Sequence, residues 1–405
     1  MGRPQTSSAL LRATPTAFDF QQLTRKKVVD MNRILIIDGH LDMAFNALHH
    51  RRDLTQDVYA LREREDPRPP GPSHPDSLRE RKRPESPSRG TITVALPEMR
   101  RGRVGIMLST IMSRVQIPTH NLDDGMRTQA AAHAIGQSHL FYYKALEREG
   151  QIRFIHTVAD LDETVAAWQD PDDQTPIGLI LSMESADSIS GPDQVQWWRE
   201  QGLRSVGLTH FGANTWGHGT GTRGGLYADA FPLLDALAET EIAIDLTHAS
   251  DLVFWQLIDY WQGPVHASHC MCRALVPGQR HLSDEMISAI AERGGVIGMV
   301  FAEAMLNPAI NFDDPATFPQ TARRSMAAAA DHVDHICQLT GNCDHVAIGS
   351  DLDGGFGREM APIDYDTIAD LQRFLSILDR RGYAQGDIAA IAHGNLLRFF
   401  RRAWS

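Results

Sequence analysis

The stretch Ile34-Leu35-Ile36-Ile37-Asp38-Gly39-His40-Leu41-Asp42 reads as a buried strand that runs straight into a pair of metal-type residues. Four successive apolar residues suit a strand covered on both faces. Residues two apart on an extended chain share a face, so His40 and Asp42 can grip one cation. The same pattern recurs further along. Apolar runs end in a ligand-type residue at Leu179-Ile180-Leu181-Ser182-Met183-Glu184, Ile242-Ala243-Ile244-Asp245-Leu246-Thr247-His248, Val265-His266-Ala267-Ser268-His269 and Val346-Ala347-Ile348-Gly349-Ser350-Asp351. Ligand-type residues delivered by the ends of successive strands point to one shared centre.

Strand candidates lie at about 34–38, 104–111, 177–183, 204–209, 242–247, 265–268, 296–302 and 345–350. Helical patterns fall between them, at 128–149, 194–201, 231–240, 252–261, 284–293, 321–339 and 368–381. Strands alternating with helices in this number predict a (β/α)8 TIM barrel, whose functional residues stand at the C-terminal ends of the strands. The rival is an open doubly wound sheet, which binds at a switch point and does not gather ligands from so many strands. No Gly-x-Gly-x-x-Gly turn or phosphate loop supports that rival.

The chain has 405 residues, 42% of them hydrophobic and 22% charged, with a net charge of -12. That length exceeds an average domain, but barrels routinely run this long as one unit. The negative balance argues against a nucleic-acid partner. No run reaches the roughly 18 apolar residues of a membrane span. Cys270, Cys272, Cys337 and Cys343 form neither a disulfide scaffold nor a paired zinc ribbon, and read as reduced thiols. Cys270 adjoins His269 and, on a strand, would face the other way. The first thirty residues lack the apolar core of a signal peptide and read as a flexible extension, so the expected domain is 31–405 in the cytoplasm. Assembly into a homo-oligomer is compatible with this reading.

One segment interrupts the alternation. Between Arg62 and Arg89 prolines crowd with basic residues, as in Asp66-Pro67-Arg68-Pro69-Pro70-Gly71-Pro72 and Arg79-Glu80-Arg81-Lys82-Arg83-Pro84. Such a stretch cannot build its own core, and it reads as a solvated insertion on the active-site face, with a lid or an assembly contact as the functional alternative.

The residues define a chemistry. A two-metal hydrolase needs a carboxylate between cations about 3.5–4 Å apart, and Glu184 stands where that bridge is wanted. His248 and His269 complete the set of ligands around the second ion. Nitrogen and carboxylate donors without thiolate favour two Zn2+ ions, with Mn2+ or Co2+ as lesser choices.

The ordered motifs Asp38-Gly39-His40-Leu41-Asp42, Glu184, Leu208-Thr209-His210-Phe211, Ile244-Asp245-Leu246-Thr247-His248-Ala249-Ser250, Ser268-His269 and Gly349-Ser350-Asp351-Leu352-Asp353-Gly354 resemble the renal, or membrane, dipeptidase family of zinc peptidases. The likeness runs from about Ile36 to Gly394-Asn395-Leu396-Leu397-Arg398. It implies an amidohydrolase barrel that holds two zinc ions and cleaves dipeptides with a metal-bridging hydroxide. It assigns His40 and Asp42 to the first ion, Glu184 to the bridge, and His248 and His269 to the second. It further implies that Asp351 handles the proton of the attacking water, that His210 stabilises the tetrahedral intermediate, and that Arg280 meets the substrate carboxylate. Tolerance of a D-residue at the C-terminal position and some action on β-lactam-like amides come with the resemblance. Two features depart from the animal members: Ser185-Ala186-Asp187 replaces a glycine-rich continuation after Glu184, and His281 replaces an asparagine after Arg280. Neither a secretion signal nor a lipid-anchor tail is visible, so the chain looks like a soluble bacterial member. Asp353 reads either as an orienting residue or as a turn former beside Gly354-Gly355. Alternatives are an amidohydrolase of N-acyl amino acids or lactones, and a non-catalytic metal-binding barrel.

Overall fold

The computed structural model describes residues 34–65, 89–115, 125–310 and 323–405. Among the described residues nine parallel strands form: β1 (Ile36–Leu41), β2 (Val104–Met112), β3 (Ile152–Phe154), β4 (Ile177–Glu184), β5 (Leu203–Gly207), β6 (Ala243–Asp245), β7 (Val265–His266), β8 (Ile297–Met299) and β9 (Val346–Ile348). Their order is β7-β6-β5-β4-β2-β1-β9-β8, with β3 attached to β4 outside that path. Closure comes from Ala267, which bridges to Ile297, receives Gly298 N–H at 2.9 Å and donates to Val296 O at 2.9 Å. Eight strands therefore close into the expected (β/α)8 barrel.

The strand that sequence reading missed is β3. Its Ile-Arg-Phe lacks the apolar run that marks the other strands, and it forms by pairing with Ile177–Leu179, the first residues of β4. Helices at 43–49, 58–65, 96–101, 158–167 and 395–403 were likewise outside the expected set. Helix 58–65 also corrects the start of the Pro-rich segment: Arg62–Glu65 are helical, and Glu65 pairs with both Arg52 (2.9 Å) and Arg89 (3.2 Å). Residues 66–88, the flexible extension expected at 1–30 and residues 321–322 of the helix expected at 321–339 lie outside the described residues, and that helix starts only at Ala327.

Side-chain alternation builds the core and the site together. Ile106 and Leu108 of β2, Ile180 of β4, Ala243 of β6 and Ala347 of β9 fill the barrel with Phe399 and Phe400 of the C-terminal helix. Ile180 and Glu184 share one face of β4, so the face that packs the barrel carries the carboxylate at its upper end. That C-terminal helix buries Leu396, Leu397, Phe399 and Phe400 and leaves Arg401 and Arg402 exposed. Among the described residues no helix is long and apolar enough to cross a membrane.

Candidate metal centre

Seven strand ends or the loops after them supply the site. His40 is the penultimate residue of β1, and Asp42 directly follows the strand, at the start of helix 43–49. The shared-face argument for this pair thus holds only in outcome, because Asp42 has already left the strand; its carboxylate accepts from Thr110 Oγ1 of β2. His40 Nε2 lies 3.7 Å from Asp42 Oδ2, 3.7 Å from Glu184 Oε2 and 3.9 Å from Asp351 Oδ1. The other oxygen of Glu184 faces a second group. Oε1 is 3.2 Å from His248 Nε2, 3.4 Å from His269 Nε2 and 3.6 Å from His210 Nε2. One carboxylate thus stands between two sets of donors, all of them buried or nearly so.

The electrostatics describe a cluster in need of positive charge. Burial drives Glu184 up to about 8, and the charges of Asp42 and Asp351 add to it against the pull of His40. Asp351 rises to about 7, again chiefly through burial. His40 is pushed up to about 10, because Glu184, Asp42 and Asp351 outweigh the burial that opposes its charge. His210, His248 and His269 fall well below their ordinary value through burial, so each offers a neutral ring. A neutral imidazole beside carboxylates is what a divalent cation requires. Buried His40 Nε2 has no hydrogen-bond partner among the described residues, as a ligand nitrogen would not.

Four aspartates, Asp38, Asp187 and Asp353 buried and Asp245 partly so, hold the strand-end loops in place, and sequence reading singled out only one of them. Asp38 Oδ1 accepts from His40 N–H (3.2 Å) and Ser350 N–H (2.8 Å), tying the loop of β1 to that of β9. Asp245 Oδ1 accepts from Thr247 N–H (3.0 Å) and Ser268 N–H (2.9 Å), which sets His248 against His269. Asp187 accepts from Val115 N–H (2.7 Å) and Thr215 N–H (3.2 Å). Asp353 is more than a turn former: it accepts from the backbone of Thr93 and Val94 at 2.9–3.0 Å, while Asn46 Nδ2 donates to the carbonyls of Asp353 (2.9 Å) and Asp42 (3.0 Å). Sequence alone gives no hint of these ties, because an aspartate next to a strand end also suits a turn.

Backbone conformation is equally specialised. His248 (φ 63°) and Asp351 (φ 57°) occupy the left-handed region, which costs a non-glycine residue about 1 kcal/mol or more. Ser185 (φ 67°) is there too, which accounts for the departure from glycine: its Oγ donates to Asp187 Oδ2 (2.9 Å) and accepts from Asn214 Nδ2 (3.1 Å). Gly349 must stay glycine, since a Cβ would meet Ser268 O at 1.8 Å. That close approach lets the Ser268-His269 turn enter the barrel mouth.

The centre opens into a cavity of about 530 Å³. Asp42, Glu184, His210, His248, Arg280 and Asp351 line its polar end, and Phe45, Phe211, Met305 and Phe356 form apolar walls. Arg280 is buried, with Nη1 donating to His269 O (3.1 Å) and Cys270 Sγ (3.4 Å). Cys270 therefore touches the site after all, because β7 ends at His266 and strand alternation no longer applies to residue 270. Arg114 also lines the cavity and was missed, as nothing near it in sequence marks it.

A closed parallel barrel with clustered imidazoles and carboxylates at the C-terminal ends of its strands defines a metal-dependent hydrolase. The family model of membrane dipeptidase, peptidase family M19, matches residues 25–404, and the chain belongs to that family of metal-dependent dipeptidases. An uncharacterized protein from the pqqA 5' region of Klebsiella pneumoniae is 26% identical over 63% of this chain and 90% of its own length. Dipeptidase 3 of Rattus norvegicus is 23% identical over 64% of this chain, which spans 51% of that relative. Among solved structures, a metallo peptidase from Rhodobacter sphaeroides liganded with a phosphinate mimic of the dipeptide L-Ala-D-Ala has the same fold, with a TM-score of 0.71 and 22% identity, over 92% of this chain and 100% of that one.

Proposed function

We propose that this chain is a binuclear zinc dipeptidase that hydrolyses free dipeptides and accepts a D-residue at the C-terminal position. The observation that carries the proposal is the two-sided Glu184, with Oε2 toward His40 and Oε1 toward His248 and His269, beside a buried Arg280 in one cavity. His40 and Asp42 would hold one ion, His248 and His269 the other, and Glu184 both. When bound, such a pair of cations supplies Lewis acidity, lowering the pKa of water toward neutrality and offsetting the negative charge that develops at the carbonyl.

The chain's own groups do the rest. Asp351 faces the cavity and takes the proton of the attacking water, then returns it to the leaving amine. His210 donates a hydrogen bond to the oxygen on which charge develops, in a site whose apolar walls exclude water and so strengthen that bond. Arg280 pairs with the free carboxylate of the substrate, which limits the reaction to short peptides. Acceptance of a D-residue is supported by the L-Ala-D-Ala mimic held by the Rhodobacter sphaeroides relative. The unit proposed to carry this activity is the single barrel, 31–405.

The test is a screen of zinc-loaded protein against L,L and L,D dipeptides, N-acyl amino acids and lactones. Dipeptides should be cleaved with the highest kcat/KM, and L,D substrates should be accepted. Turnover of acyl amino acids or lactones in preference to every dipeptide would replace this reading with the broader amidohydrolase one.

A further inference from the structure

The imidazoles around Glu184 are not chemically equivalent. His269 Nδ1 lies 2.7 Å from Ser268 Oγ, and His248 Nδ1 lies 3.2 Å from Thr220 Oγ1. A hydroxyl accepts as readily as it donates, so each ring can carry its proton on Nδ1 and turn a lone pair on Nε2 toward Glu184. His40 has the same kind of neighbour, Ser268 Oγ at 3.5 Å from Nδ1. His210 differs. Its Nδ1 stands 2.9 Å from Arg114 Nη1, and a guanidinium can only donate. Nδ1 of His210 is therefore the acceptor, and the proton of its neutral ring sits on Nε2.

Distance alone does not separate His210 from the ligands. Its Nε2 is 3.6 Å from Glu184 Oε1, against 3.4 Å for His269. We propose that Arg114 is a positioning residue that fixes the Nε2–H tautomer of His210, making it a hydrogen-bond donor to the substrate and keeping it from becoming a third nitrogen ligand beside Glu184. This rests on the dipeptidase reading for its substrate, but not for the tautomer.

Three features support the assignment. Arg114 is buried and lines the same cavity as His210. Its place is set by the next residue, Val115, whose N–H donates to Asp187 Oδ2 at 2.7 Å. A charged donor on Nδ1 also polarises the ring, which strengthens the bond that Nε2–H gives.

The test uses zinc-loaded, full-length protein with ¹⁵N-labelled histidine, and long-range ¹H–¹⁵N spectra in which His210 is identified by its loss in His210→Asn. Wild type should show His210 protonated on Nε2 and unprotonated on Nδ1. Arg114→Leu should abolish that pattern and lower kcat for a good dipeptide by roughly 10²-fold, the usual effect of losing one oxyanion donor, with KM changed by less than about threefold. Arg114→Lys, which keeps a donor, should preserve the tautomer and hold kcat within about tenfold of wild type. A wild-type His210 protonated on Nδ1 would overturn the proposal, as would an Arg114→Leu protein with tautomer and kcat unchanged. If Arg114→Leu fails to fold, the wild-type spectrum and Arg114→Lys decide the matter between them. Wild-type protein with the expected tautomer and no activity on any dipeptide would refute the dipeptidase reading and leave the role of Arg114 in the tautomer standing.

Discussion

Replacing Arg280 by alanine tests how the site selects a free dipeptide. Arg280 is 6% exposed, and its two hydrogen bonds found among the described residues both use Nη1, which leaves Nη2 and Nε for a ligand. An exposed ion pair contributes about 1 kcal/mol or less, whereas losing one partner of a desolvated pair costs about 2–5 kcal/mol. At about 1.36 kcal/mol per decade, the buried case corresponds to a loss of roughly 30-fold to several-thousand-fold in kcat/KM. The assay compares a dipeptide with its C-terminal amide, in wild type and in Arg280→Ala. The free acid should lose that full factor, while the amide, which carries no negative charge for Arg280 to meet, should change by less than about threefold. Equal losses on both substrates would refute the reasoning and make Arg280 a structural residue that braces the His269 carbonyl.

Three further outcomes follow from the same geometry. Metal analysis of active protein should find about two divalent ions per chain, and Glu184→Gln should weaken both sites; full activity with a single ion would reject the bridged pair. Asp351→Asn should keep most of its metal but lose roughly 10²–10⁴-fold in kcat, since an amide cannot carry the proton, and an unchanged kcat in metal-replete protein would remove Asp351 from that role. Acid should destabilise the fold through His332, whose Nδ1 accepts from Cys272 N–H at 3.0 Å and which burial pushes down from 6.5 to about 4. Because the unfolded chain binds the extra proton, this contribution is fully present above pH 6.5 and is lost as pH falls through about 4. His332→Asn, which keeps an acceptor near Nδ1, should flatten the fall of Tm between pH 7 and 4.5, and an unaltered slope would exclude His332 as its source.

Local pattern carried much of this protein. Apolar runs closed by a ligand-type or turn residue are buried strands here, whereas runs such as Leu252–Trp255 and Ile388–Ala392 are helical, and by that reading eight of the nine strands among the described residues, with the barrel that they close, were legible one at a time. The donor residues were legible for a related reason: barrel geometry sends strand ends to one place, and His40, Asp42, Glu184, His248, His269 and Asp351 each stand just at or after such an end. What the sequence by itself determined is therefore the set of residues that meet. The tertiary structure decided how they meet. The two oxygens of Glu184 turn to different partners only because β1, β5, β6 and β7 surround β4 at fixed distances. The loops keep their course through Asp38, Asp187, Asp245 and Asp353, whose acceptors are filled by backbone far away in sequence. Arg114 and His210 are 96 positions apart, and Cys272 and His332 60 apart. A hydrogen bond depends on direction within a few tenths of an ångström, and no periodicity in the chain encodes such a contact between distant segments, whereas burial needs only an apolar side chain on the correct face.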